Sequence, residues 1–421
     1  MTADPGLQHR AFPARCTDDG PDHQTIAWMT ARFNGFLQDL PSAGQVASTA
    51  AAWQQEGRVL HAIYDVGSRP EAALGPDVPV ATAAVIEASL DAGGDTDIAC
   101  TLVADVTVRP THRGQGLMRH IMQAITTRAR ETGVPLVALH AAHPALYARF
   151  GFSPAVRSLS VEADCARFAL RSQPSGTVHA ADPRRAHDLA RTVAAASGDL
   201  RFGALTASSL VEHPPQGSDH ATRCLVHVDD HGHVDGVLTY AFQGWTPQAQ
   251  VLELRSETYA AVEAHAALWQ TLASTGLAST VRATDVRTDD PLPWLLVDRA
   301  AWRVTGMSDG YSLRILDAAT AMRLRGYSGP DAEIAIDVED PGGPTAGRWL
   351  LQVSGGRAAV ETTARPADLT MDVQALAAAF LGTTAATVLH GAGLVTGSQA
   401  AARALDDLLR GPVAASSSLH F

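Results

Sequence analysis

Cysteine is scarce: Cys16, Cys100, Cys165 and Cys224 are the four in 421 residues, far apart and in no C-x-x-C pair. Their spacing argues against a disulfide framework or a thiolate zinc site and points to a reducing compartment. A basic excess is missing too. Lys and Arg number 32 against 44 Asp and Glu, for a formal charge of −12. Binding nucleic acid through a broadly basic face is thereby disfavoured, because phosphate neutralisation needs surplus cations; a cationic substrate suits the balance better. Nor is there an uninterrupted apolar run of the ~18 residues that a membrane span needs. The opening MTADPGLQHRAFPARC is acidic and polar where a secretory leader has a basic start and an apolar core. The expectation is a soluble, cytoplasmic protein with no membrane partner and no metal.

What is present describes a folding chain: 46% apolar and 18% charged, with length for about three domains at roughly 150 residues each. Asp22 is placed to cap a helix through TIAWMTARFNGFLQ, where Ile26, Met29, Phe33, Phe36 and Leu37 recur at helical spacing. RVLHAIYDV and VPVATAAVIEASL read as strands of a meander. CTLVADVTV reads as a strand entering RPTHRGQG, followed by a helix over about 114–132, the buried strand PLVALHA and the short helix PALYARF. A second unit, after RSQPSGTVHAADP, offers a hairpin in CLVHVDDHGHVDGVLTYAFQG, a strand in QAQVLELRSETY and a helix in YAAVEAHAALWQTLAST. It echoes the first without an Arg-Gly-x-Gly turn, so a duplicated fold with one working site is expected. The last hundred residues suggest a strand, a helix and a small antiparallel sheet, then the amphipathic helices ALAAAFLG and SQAAARALDDLLRG and the uncharged tail VAASSSLHF.

The chemistry lies in Val106-Thr107-Val108-Arg109-Pro110-Thr111-His112-Arg113-Gly114-Gln115-Gly116-Leu117-Met118-Arg119. Free amides where such a turn enters a helix attract a diphosphate, the glycines let it approach, and Arg113 adds charge. This strand, turn and helix resemble the coenzyme A loop of the GNAT acetyltransferases. About thirty residues on, LHAAHPALYARFGF resembles the GNAT block whose tyrosine flanks the cofactor's sulfur. A departing thiolate wants a proton, which a phenol can give, so Tyr147 is the expected general acid.

A GNAT domain with an intact loop, a degenerate repeat and a sterol-carrier-like end together resemble the Eis (enhanced intracellular survival) acetyltransferases over nearly the full length. The resemblance implies an α+β chain of two GNAT domains in tandem, 1–160 and 161–310, then a sterol-carrier-protein-like domain, 311–421. It implies acetyl-CoA as co-substrate, an amine-bearing small molecule as acceptor, and a homohexamer built from trimers. The amides of Val106 and Val108, with Thr107 between them, are expected to face the pantetheine arm, and those of Gly114, Gln115, Gly116, Leu117, Met118 and Arg119 the pyrophosphate. The main-chain carboxylate of the last residue, Phe421 by position, is implied as the base. Family members commonly carry Ser-Glu where this chain has Ala142-His143 beside the pantetheine, so one contact there is expected to differ.

Asp105 and His140 are expected acceptor-side candidates. Strand alternation points Asp105 to the face opposite Val106. Asp229, Asp230, His231 and His233 read as a solvated hairpin tip rather than a metal site. Two other readings stay open: an acyltransferase using a longer acyl-CoA or a protein lysine, and a non-catalytic binder of apolar ligands through the C-terminal domain.

Overall fold

The computed structural model describes residues 6–67, 70–207, 222–244, 250–341, 343–419 and 421. Asp22 caps the first helix, His23–Gly35, by accepting the Thr25 N–H at 2.7 Å, and the helix buries Trp28, Met29 and Phe33. A second helix, Ala43–Gln55, was not legible in the sequence. Val46 and Trp53 are its only large apolar side chains, and a Ser42/Gln45 capping box starts it. Trp53 meets Trp28 edge-on at 5.4 Å, which fixes both helices on one face of the first sheet.

That sheet runs Leu7–Pro13, Val59–Asp65, Ala81–Leu90, Ile98–Val108, Leu136–His140, Tyr311–Ile315, Ser153–Pro154. The second runs Thr177–Ala181, Arg223–Val228, Val234–Phe242, Val251–Tyr259, Thr280–Arg287, Arg157–Asp164, Trp302–Asp309. The first two residues of the expected QAQVLELRSETY strand, 248 and 249, lie outside the described residues. The chain leaves the first sheet at Pro154 and pairs in the second from Arg157. It leaves the second at Asp309 and returns to the first at Tyr311, beside Leu136–His140. These crossings interlock the two sheets: the strand that completes the first is reached only through the second unit.

A buried charged triad braces the second unit. His265 lies between Glu257, at 2.7 Å, and Asp290, at 3.2 Å, beneath the ring of Tyr259. Burial alone would lower the imidazole, but the two carboxylates push it up to about 10. At Asp290 burial works the other way, and the imidazolium nevertheless holds the carboxyl below its usual range. In the unfolded chain a histidine titrates near ~6.5 and an aspartate near ~3.9. The stabilisation from His265 is therefore full below about pH 6.5 and fades as pH rises toward 10, while that from Asp290 is full above about pH 4 and fades below it. Removing the imidazole leaves two buried carboxylates without their partner, a cost of roughly 3–5 kcal/mol. His265→Gln is expected to lower the thermal midpoint most between about pH 4 and 6.5, with the gap narrowing toward pH 10. A gap that does not change with pH would reject this account.

The third sheet, Arg357–Thr362, Gly347–Ser354, Ala332–Glu339, Leu369–Asp372, Val395–Gly397, carries the helices Val373–Ala379 and Gln399–Leu409. Its core is continuous with the underside of the first sheet: Ile86, Leu102 and Leu313 share one cluster with Phe380 and Leu405. Arg325 is 1% exposed. Its guanidinium donates to the carbonyls of Phe380 at 2.8 Å and Gly326 at 2.7 Å, and to that of Leu409 at the end of the Gln399–Leu409 helix. A cation suits a helix C-terminus, which carries partial negative charge. From there the tail runs back to the first sheet. No helix among the described residues is long and apolar enough to cross a membrane.

Candidate active site

The strand Ile98–Val108 makes the site by failing to stay regular. Thr82 pairs with Thr107 and Ala84 with Ala104, so one extra residue is inserted opposite Ala83. The bulge puts Asp105 at φ 53, a left-handed conformation that Asp tolerates better than most residues. Thr82 fastens it, its hydroxyl donating to the Asp105 carbonyl at 3.0 Å. Parallel pairing with Leu136–His140 ends at Val103–Leu139, and beyond that rung the two strands part. Arg109 N–H donates to Val80 on one side. By alternation the amides of Val106 and Val108 face the other side, into the opening.

The loop at the mouth suits an anion. Gly114 and Gly116 have φ of 80° and 78°, and a Cβ at Gly114 would meet nothing within 4 Å. Gly116 caps the helix Leu117–Glu131 without a side-chain hydrogen bond. The first amide bonded back to the cap carbonyl is that of His120, which leaves the first-turn amides of Leu117, Met118 and Arg119 for a ligand. Arg113, Gly114, Gln115, Gly116 and Arg119 are exposed around them. A diphosphate fits this cradle by charge and by space. The cations near it are all guanidinium, for the sequence contains no lysine.

Tyr147 sits on the short helix Pro144–Ala148, its ring packed on Phe152 at 6.2 Å. Burial pushes its phenol above the ordinary value, so the group keeps its proton. Its hydroxyl makes no hydrogen bond among the described residues. Ala142 and His143 lie exposed just before this helix, with His143 at its N-cap.

At the end of Leu136–His140 the His140 Nε2 donates to the carbonyl of Leu419 at 3.0 Å, and its ring lies 4.8 Å from that of Phe421. The tail is thus brought to the strand end seven residues before Tyr147. Phe421 also packs against the cluster of Trp28, Leu60, Ala84 and Ala104; His420 lies outside the described residues.

Asp105 does not follow simple alternation, because the bulge intervenes. Its carboxylate accepts from Arg32 Nε at 2.7 Å and from Arg58 Nη1 at 3.1 Å, and Arg58 also pairs with Glu56 at 2.8 Å. Neither arginine was singled out in the sequence, and local pattern holds no sign of a pairing 47 or 73 residues apart. Asp229 ties the hairpin tip by accepting the amides of His231 and His233 at 2.9 and 2.8 Å. Among the described residues no group of three or more His, Cys, Asp or Glu side chains is placed to hold a metal ion.

A bulged strand, a parting neighbour and an open glycine loop at a helix N-terminus define a GNAT acyltransferase, the class that takes its acyl group from acyl-CoA. Two GNAT acetyltransferase domain models match, at residues 73–155 and 207–315, and a sterol carrier protein domain model at 318–416. An uncharacterized N-acetyltransferase of Streptomyces griseus is 31% identical over 380 residues, 85% of this chain and 88% of that protein. The N-acetyltransferase Eis of Mycobacterium tuberculosis is 31% identical over 329 residues, 74% of this chain and 78% of its own. The crystal structure of Eis1 from Mycobacterium abscessus shares the fold, with TM-score 0.79 at 23% identity over 99% of this chain and 100% of that one. This chain belongs to the Eis family of GNAT N-acetyltransferases.

Proposed function

We propose that this enzyme transfers acetyl from acetyl-CoA to the primary amine of a small molecule, of the aminoglycoside or polyamine kind. The observation that carries the reading is the bulged strand ending in an open glycine loop, with Tyr147 and the chain end brought to the neighbouring strand. Val106, Thr107 and Val108 hold the pantetheine arm, Arg113 to Arg119 the pyrophosphate, and Ala142 and His143 flank the arm. Acetyl-CoA supplies the activated acyl group and a sulfur leaving group. The Phe421 carboxylate accepts a proton from the ammonium, which is almost wholly protonated at pH 7 with a pKa near ~10. The freed amine forms the new C–N bond, the C–S bond breaks, and the nitrogen's remaining surplus proton passes to solvent, as does the one taken up by the carboxylate. Tyr147 gives its proton to the departing sulfur and recovers one from solvent. Asp105, held by Arg32 and Arg58, braces the acceptor side.

Release of coenzyme A thiol, measured against aminoglycosides, polyamines, aromatic amines and lysine peptides, tests the acceptor class. Since the chain has no lysine, transfer to a lysine peptide is read without side-chain self-acetylation. Turnover with the peptides alone would overturn the small-molecule reading.

Gly116→Asp is expected to cost at least tenfold in coenzyme A affinity by calorimetry, because it sets bulk and negative charge against the diphosphate. Unchanged affinity would remove this loop from the cofactor site. We propose the family's homohexamer built from trimers as the assembly; light scattering at micromolar concentration giving a single chain's 44.1 kDa would reject it.

A further inference from the structure

The second unit keeps the GNAT wedge but not its use. Val251–Tyr259 and Thr280–Arg287 pair in parallel through three rungs, Val251–Thr280 to Glu253–Arg282, and then part. Ala260 and Ala261 lead into the next helix where the first unit has its glycine loop, and that helix carries Glu263 in its first turn, which would repel a phosphate. A cavity of about 240 Å³ lies in the opening, and Ser416 to Leu419 of the tail form one of its walls. The degenerate wedge faces the tail.

The tail is held along its length. Leaving the helix end gripped by Arg325, it passes Gly411, where a Cβ would stand 2.2 Å from the Phe202 ring. Ala414 N–H donates to Asp289 at 2.8 Å, Ser416 N–H donates to the Phe202 carbonyl at 3.1 Å, and Leu205 N–H donates to the Ser417 hydroxyl at 3.3 Å. Gly203, at φ 87°, lies so close that a Cβ there would sit 2.7 Å from both the Ala415 Cβ and the Ser416 nitrogen. Its carbonyl accepts the buried Tyr311 hydroxyl at 2.7 Å. Tyr311 is the register partner of His140, and His140 holds the Leu419 carbonyl. Both grips on the tail, at Ala415–Ser416 and at Leu419, are thus bolted to a single rung of the catalytic sheet. A rung inside a sheet is a rigid reference.

We propose that Gly203, Tyr311 and His140 are positioning residues that set where the end of the chain lies relative to Tyr147, and that the segment 202–205, which the second unit sends back to pair with the first sheet at Leu90, clamps the tail together with Asp289. The proposal rests on the reading of the Phe421 carboxylate as base. A displacement of about 1 Å at a reacting group costs up to ~10²-fold in rate.

Gly203→Ala should force Ala415 and Ser416 away, and Tyr311→Phe should loosen the same grip without changing core volume. Both are expected to lower kcat at least tenfold, with coenzyme A affinity within twofold of the parent. His140→Leu should behave likewise, and His140→Gln, which keeps an N–H donor, should recover most of the loss. A merely structural role would not predict the next result: in a chain lacking Phe421 the same substitutions lower kcat no further. Amide exchange across 413–419 in the ligand-free enzyme should be slow in the parent and fast in Gly203→Ala, with exchange in the rest of the first sheet unchanged. Parental kcat in both Gly203→Ala and Tyr311→Phe, or losses that add in full to that of the Phe421 deletion, would overturn the proposal. If deleting Phe421 alone leaves kcat intact, the base assignment fails by itself. The exchange result then decides the clamp: slow exchange in Gly203→Ala overturns it, and fast exchange confined to the tail supports it.

Discussion

Deleting Phe421 is expected to lower kcat by about 10²–10⁴-fold, the usual worth of a positioned acid or base, while coenzyme A affinity stays within twofold. Leu419 is pinned to His140 through its carbonyl, so the shortened chain cannot slide forward to compensate. One residue spans roughly 3.3–3.6 Å. The carboxylate retreats by about that distance, well beyond the tolerance of a reacting pair. The variant also loses the ring that packs on His140 at 4.8 Å. A second protein separates the two effects: a C-terminal extension keeps the ring and abolishes the carboxylate at that place. It should be as impaired as the deletion, and an N-terminal extension should not. Near-parental kcat in the extended chain, verified intact by mass spectrometry, would dismiss the carboxylate and leave Tyr147 standing.

Tyr147→Phe should lose about 10²-fold or more in kcat with coenzyme A binding and thermal midpoint close to the parent's. The ring's packing on Phe152 is kept, and the hydroxyl makes no hydrogen bond among the described residues that folding would miss. On the proposed mechanism, what disappears is the proton for the sulfur. The pH profile gives a sharper check. Burial raises the phenol above its ordinary value of about 10, so the parent should hold its activity on the alkaline side up to at least that pH. Rate loss from ionisation of Tyr147 begins only beyond it, and should be absent in the Phe variant. A parental rate in Tyr147→Phe would show that solvent protonates the leaving group.

Local chemistry was legible wherever one segment makes its own structure. The Asp22 cap, the strand–glycine–helix order at Ile98–Val108 and Leu117–Glu131, and the hairpin between Arg223–Val228 and Val234–Phe242 all formed at the expected places. In each the deciding contacts lie within a few residues: a side chain on its own helix amide, a positive φ that glycine accepts, a turn that closes two apolar runs. The Ala43–Gln55 helix escaped because its face is mostly alanine, which leaves periodicity little to register.

What tertiary structure decided is everything that joins distant segments. The bulge that aims Val106 and Val108 into the opening needs the neighbouring Ala81–Leu90 strand to define it. Asp105, an acceptor-side candidate in sequence, became the partner of two arginines from elsewhere in the fold. His140 proved to be the anchor of a tail 279 residues away. Tyr311–Ile315, read as the start of the last unit, became a strand of the first sheet. Sequence by itself therefore determined the glycine loop at the helix start and the duplicated plan, because backbone amides and glycine torsions are local properties. The meeting of His140's strand with the chain end was decided only in three dimensions, since a buried hydrogen bond or ion pair must find its partner wherever packing brings one.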